Sequence, residues 1–157
     1  MSVIHLETRI AAPRERVFDL ARSIDAHQQS TKDTNERVVA GVMSGLIGLG
    51  QEVTWEARHF GVTQQLSVRI TQYDRPGHFQ DVMLKGAFHH MRHDHSFIEH
   101  NGLTVMKDRF EFSSPLGFLG RITDALFLER YTRRLLEKRN AVLKHVAESA
   151  EWQKYLR

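Results

Sequence analysis

The chain has no cysteine. Disulfide bridges, thiolate metal sites and cysteine nucleophiles are therefore excluded, and the count suits a reducing compartment. Long hydrophobic runs are missing too: no apolar stretch approaches the roughly 20 residues of a membrane-spanning helix. The N-terminal MSVIHLETRI has no basic region followed by an apolar run, so no signal peptide is expected. A cytoplasmic protein without a membrane span is the expectation. Charge is nearly balanced, at +3 with neutral histidines. Basic residues cluster late, as Arg130, Arg133, Arg134, Lys138, Arg139 and Lys144, but Glu129, Glu137 and Glu148 interleave with them. With no dense basic stripe and no base-reading motif, no nucleic-acid partner is expected. The segment from Gly41 to Gly50 holds four glycines yet lacks both a Gly-Lys-Ser/Thr ending and GxGxxG spacing, which argues against a phosphate cradle. Internal repeats and low-complexity linkers are absent. A length of 157 residues, 41% hydrophobic and 26% charged, suits one soluble domain over residues 1–157 with a single core.

What the chain does have is an unusual strand. Four of its ten histidines fall in HHMRHDHSF, His89 to Phe97. Side chains alternate faces along a strand, so His89, Met91, His93, His95 and Phe97 share one side, and His90, Arg92, Asp94 and Ser96 the other. Imidazoles mixed with apolar anchors describe a polar spot inside a buried pocket.

Around this strand the pattern reads as follows. Val3 to Ile10 alternates and forms a first strand. Pro13 opens a short helix to about Arg22, with Val17, Phe18, Leu20 and Ala21 as its apolar stripe, and Ile24 to Thr34 forms a second. A strand over Arg37 to Ala40 precedes the glycine-rich segment. Amphipathic strands then follow over Glu52–Phe60, Thr63–Tyr73, His78–Lys85, His89–Glu99 and Leu103–Ser113, separated by Gly61, Asp74–Gly77, Gly86 and the hairpin pair Asn101-Gly102. From Leu116 to about Glu151 the chain is helical, its start marked by Pro115 and Gly117. Ala125, Leu128, Leu135, Leu136, Val142, Leu143 and Val146 fall on one side, with Thr132 and Arg139 in the middle of the arc. The fold class is α+β. A curved antiparallel sheet of six to seven strands must cover its apolar face, and the long C-terminal helix is the only element large enough. Two short helices close one end, leaving a cavity.

This order resembles the helix-grip fold of the START/Bet v 1-like (SRPBCC) superfamily, and more narrowly its bacterial ligand-binding, polyketide cyclase-like branch. The resemblance covers nearly the whole chain. It is carried by ETRIAAPRERVFDLA (Glu7 to Ala21), GLGQEVTWEARHFG (Gly48 to Gly61), the run from PGHFQDVMLKGAFHHMRHDHSF through VMKDRFEFSSPLGFLG, and the late helix containing Arg139. It implies the fold but no single reaction, because such proteins include lipid carriers, hormone receptors and cyclases.

On the strand from Leu103 to Ser113, Met106, Asp108, Phe110 and Phe112 share the drier side. On the one from Glu52, Val53, Trp55, Ala57 and His59 face inward, as do Leu66, Val68 and Ile70 on the next. For His78 to Lys85 the alternation leaves both sides open, and the resemblance places Phe79, Asp81, Met83 and Lys85 inward. The expected cavity wall is Trp55, Leu66, Val68, Phe79, Met83, Met91, Phe97, Met106, Phe110 and Phe112. Its polar minority is His93, His95, Asp108, Arg139, Asp81 and His59. Mostly apolar walls with a few convergent polar groups describe a small-molecule site, and a buried guanidinium demands an acceptor, from Asp81, Asp108 or a ligand. The same residues also read as an Asp–His–Arg network that only satisfies a core.

The function expected is binding or transport of a hydrophobic small molecule such as a lipid, polyketide or aromatic metabolite. The alternative is a cyclase or dehydratase in which His93 or His95 acts as acid or base and Asp108 orients it. A weaker third reading is a partner-binding module with a vestigial cavity. His93 and His95, joined by His59 or Asp108, have the donor chemistry of a zinc site, but strand His-x-His pairs often bind nothing, and neither metal nor cofactor is expected. The Gly41–Gly50 segment reads either as a plain turn or as a lid carrying Leu46, Ile47 and Leu49.

Overall fold

The structure, a computed structural model, describes residues 1–113 and 121–156. Alternating apolar and polar residues form seven strands: β1 (Ser2–Ile10), β2 (Arg37–Gly41), β3 (Glu52–His59), β4 (Val62–Asp74), β5 (His78–Lys85), β6 (His90–His100) and β7 (Leu103–Ser113). All pair antiparallel in one sheet, in the order β1-β7-β6-β5-β4-β3-β2. β2 to β7 form a meander, and β1 closes against β7 with Ile4 opposite Phe110 and Leu6 opposite Asp108. Bulges at Val38/Ala40, Ser67/Val68 and Ile70/Gln72 interrupt the pairing of β2 with β3 and of β4 with β5. Each extra residue bends its strand and increases twist, so the sheet curves around what lies on its inner face.

Between β1 and β2 come α1 (Arg14–Ala21), α2 (Ile24–Ser30) and a 3₁₀ turn (Lys32–Thr34). Pro13 precedes α1, and the Ser23 hydroxyl caps α2 by accepting from the Ala26 N–H at 3.1 Å. Phe18 anchors α1 in the core, its ring edge-on to Tyr73, Phe79 and Phe97 at 5.2–5.5 Å. The long helix α3 (Arg121–Glu148) runs unbroken for 28 residues and packs against β1, α1 and α2. Its inward arc holds Leu136, Leu143, Val146 and Ala147 together with Thr132, Arg139 and Asn140. A final 3₁₀ turn (Ala150–Lys154) places Trp152 under the Arg16 guanidinium. The expected helix start at Ser114–Gly117 and the side chain of Ala125 lie outside the described residues. Among the described residues no helix is long and apolar enough to cross a membrane.

Two expectations are corrected. β6 starts at His90, so His89 is not part of the inward row; it is exposed, and residues 86–89 bend between β5 and β6. Phe88 turns inward instead, against Phe110 and Phe112, and alternation sends its neighbour out. The Gly41–Gly50 segment is a strap more than a free lid. Ile24 N–H bonds the Gly45 carbonyl, Ile47 N–H the Arg22 carbonyl, and Gly45 N–H the Asp25 carboxylate, at 2.8–3.1 Å. Ile47 is buried by this, whereas Leu49 stays exposed.

A cavity with a charged wall

Because the curved sheet is broader than one helix can cover, a cavity of about 480 Å³ remains between α2, α3 and strands β3 to β7. Trp55, Leu66, Val68, Ile70, Phe79, Met91 and Phe110 line it from the sheet, Ile24 and Ile47 from one end, and Leu128 and Leu136 from α3. Of the residues expected at the site, Trp55, Phe79, Asp81, Met91, His93, His95, Phe110 and Arg139 reach this cavity. Met83, Phe97, Met106 and Asp108 are not in its lining. Phe97 and Met106 belong to the solid core under α1, Met83 is only half-buried against that core, and Asp108 lies behind the imidazoles with no exposed side-chain surface.

Strand register assembles the polar wall. Asp81 on β5 lies opposite His93 on β6, and His95 lies opposite Asp108 on β7. His93 and His95, two apart on one face, bring their rings to 3.8 Å between centroids. Phe79 stacks on the other side of His95 at 4.1 Å. The Asp108 carboxylate is the hub. One oxygen accepts from His93 Nε2 at 2.7 Å and from Arg139 Nη2 at 2.9 Å; the other accepts from Asn140 Nδ2 at 2.8 Å. The Asn140 amide oxygen in turn accepts from Arg139 at 3.0 and 3.2 Å. His95 Nε2 meets Asp81 Oδ2 at 2.8 Å. Its Nδ1 is 3.4 Å from Asp108 Oδ1, outside hydrogen-bond geometry, and has no other partner among the described residues.

The charges sort themselves by environment. Burial alone would raise the Asp108 carboxyl, but the Arg139 guanidinium and the hydrogen bond from His93 hold it well below the usual carboxylate range. Asp81 is also lowered: burial opposes this, and the His95 bond outweighs it. Burial, and then the charge on His95, push His93 down to about 4. For His95 burial acts downward as well, but two adjacent carboxylates overcome it and raise the imidazole above its usual value. Two carboxylates thus face the Arg139 guanidinium and an imidazole whose charged form they favour, so opposite charges lie side by side in the wall, as a buried group of charges requires. His93 stays neutral, with its Nε2–H donating to Asp108 and Nδ1 left as the basic nitrogen.

A second polar group also lines the cavity. His27 bonds Glu36 at 2.6 Å and lies over Trp55, and His59 Nδ1 meets the Tyr131 hydroxyl at 2.7 Å. His59 is therefore engaged elsewhere and Asp108 is sealed behind the rings, so neither stands as an open third donor beside His93 and His95. Asp81 stands there instead: one donor atom each from Asp81, His93 and His95 lie within 4.8 Å of one another. Asn140 and Glu36 were not anticipated. Asn140 did carry a signal, since it lies four residues after Leu136 and three before Leu143, inside the apolar arc. Glu36, in a polar stretch between elements, carried none.

No protein-family model matches the chain, and no curated protein matches it. Solved structures do. A protein from Chromobacterium violaceum superposes with a TM-score of 0.73 at 12% identity, over 94% of this chain and 97% of that one. A START superfamily protein from Mycobacterium smegmatis gives 0.70 at 11% identity, over 93% and 97%. Ginseng major latex-like protein 151 from Panax ginseng gives 0.67 at 11% identity, over 94% and 98%. At such identities the likeness carries architecture alone, and that architecture is the helix-grip fold of the START and Bet v 1-like structures.

Proposed function

We propose that the protein binds a hydrophobic small molecule in this cavity, seating the ligand's apolar body against Trp55, Val68, Met91 and Phe110 and its polar end against the wall of Asp81, His93, His95 and Arg139. The observation that carries the reading is the combination of volume and lining: about 480 Å³ of mostly apolar wall with one convergent polar group. Such a pocket suits a drug-sized metabolite, and a hollow of this size speaks against a vestigial cavity. The resemblance to START and Bet v 1-like proteins, which include lipid carriers, supports it.

The cyclase or dehydratase alternative rests on the His93–Asp108 pair, whose geometry is that of an oriented base. Its weakness is electrostatic. An imidazole whose pKa is about 4 is a poor proton acceptor near neutral pH, and His95 is covered by Phe79 on one side and His93 on the other.

The test is a fluorescence titration of the purified, ligand-stripped protein with 1-anilinonaphthalene-8-sulfonate, an aromatic probe with one anionic end. Saturable, blue-shifted binding of one equivalent is expected. Ala57→Trp, which fills the cavity from β3, is expected to weaken it at least about tenfold while circular dichroism stays native. Absence of saturable binding, or equal affinity in a folded Ala57→Trp variant, overturns the proposal.

A further inference from the structure

We infer that Asp81, His93 and His95 form a binding site for a divalent transition-metal ion such as Zn²⁺, with open coordination positions facing the cavity. Two imidazoles and one carboxylate are the donor types of such ions, and an incomplete protein set of three is the form that leaves room for an exogenous ligand. Around a tetrahedral Zn²⁺, at roughly 2.0–2.2 Å per bond, donors stand about 3.3–3.6 Å apart. The three here lie within 4.8 Å of one another, so the widest separation closes by at most about 1.5 Å, while His95 Nε2 and Asp81 Oδ2, hydrogen-bonded at 2.8 Å, part slightly to admit the ion.

The surroundings match the role independently of the donors. A metal-bound histidine almost always gives its other ring N–H to a carboxylate, a backbone carbonyl or a water, which fixes its tautomer and orientation. Both imidazoles turn their second nitrogen toward the same carboxylate: His93 Nε2 at 2.7 Å and His95 Nδ1 at 3.4 Å from Asp108 Oδ1. This assigns Nδ1 of His93 and Nε2 of His95 to the ion. Asp108 is held by Arg139 and Asn140, so the supporting carboxylate is itself anchored. His95 is 2% exposed, and its Nδ1 is buried without a hydrogen bond. A small closing movement of the ring onto an ion beside Asp81 would turn that nitrogen toward Asp108 and satisfy it.

All three donors line the cavity. The remaining coordination positions are thus open to an oxygen donor entering from the apolar side, such as a phenolate, an enolate or a carboxylate. The inference stands apart from the hydrophobic-ligand reading: it is tested on ligand-free protein, and its failure would leave the fluorescent-probe result untouched.

The experiment is a titration of the full-length, chelator-stripped protein with Co²⁺, followed in the visible spectrum, with Zn²⁺ as competitor. One equivalent of Co²⁺ is expected to bind with the intense d–d bands of a four- or five-coordinate ion, and Zn²⁺ to displace it. His93→Gln and His95→Gln are each expected to abolish those bands, Asp108→Asn to weaken binding about 10- to 100-fold, and His145→Gln, at an exposed position, to change nothing. No binding at millimolar Co²⁺, or binding equal in the folded double variant His93→Gln/His95→Gln, overturns the inference. Should those variants fail to fold, the wild-type protein decides. Co²⁺ must shift or broaden the NMR signals of the His93 and His95 rings, and unchanged ring signals at saturating Co²⁺ overturn it equally.

Discussion

Asp108 has no exposed side-chain surface, yet it bears a full charge and takes three hydrogen bonds, from His93, Arg139 and Asn140. Removing it strands the buried Arg139 guanidinium without its carboxylate. The cost of breaking a buried pair from one side is about 3–5 kcal/mol, so Asp108→Ala is expected to lower the urea midpoint by the corresponding amount; a loss under about 1 kcal/mol would mean the cluster is not the anchor described. Glu36 supplies a pH test. Burial acts to raise its carboxyl, but the charge and hydrogen bond of His27 outweigh that and lower it from 4.5. A carboxyl with a folded pKa below its unfolded value favours folding in its ionised form. Its contribution is therefore complete above 4.5 and disappears as the pH falls through the folded value. Urea midpoints measured against pH should drop below that point, and Glu36→Gln should flatten the drop; parallel curves would contradict it. At this scale His93, His95, Asp108 and Arg139 were legible, because charged or polar residues stood at positions whose neighbours two or four along were apolar. Alternation alone did not place Asp81, because β5 permits either face; only the resemblance put it inward, and pairing with β6 sets it beside His95.

At the scale of elements, turn chemistry was the clearest text. Asn101 and Gly102 take φ of +51° and +78°, the conformation that a two-residue hairpin demands and that Asn-Gly tolerates. The alternation of β3, β4, β6 and β7 gave their inward faces directly, while the β6 boundary was misplaced because Phe88, not His89, turns in. Gly41 shows what pattern alone misses. It ends β2 with φ +79°, and a Cβ there would lie 2.2 Å from the Glu52 carbonyl oxygen. Gly41→Ala is thus expected to destabilise by more than the ~1–2 kcal/mol of a left-handed L-residue alone, read as a lower urea midpoint; a variant as stable as the parent would mean that β2 is free to shift away from β3.

For the whole molecule, a seven-stranded sheet with one long helix was readable from element order and from the need to cover an apolar face. The cavity's dimensions were not. They depend on sheet curvature, and the bulges between β2 and β3 and between β4 and β5 that help set it are register shifts between strands, which leave no mark in a single strand's alternation. The helix contributes as well, since Arg139 and Asn140 spend part of its inward arc on the Asp108 hub and not on apolar contact with the sheet. What results is a hollow whose wall carries paired opposite charges. The most direct measurement of whether that hollow holds a small molecule is native mass spectrometry of the protein purified from its own host. A reproducible noncovalent adduct of small-molecule mass, present in independent preparations and missing from folded Ala57→Trp, is the expected result. Bare-chain mass in every preparation, together with no retention of added 1-anilinonaphthalene-8-sulfonate, contradicts it.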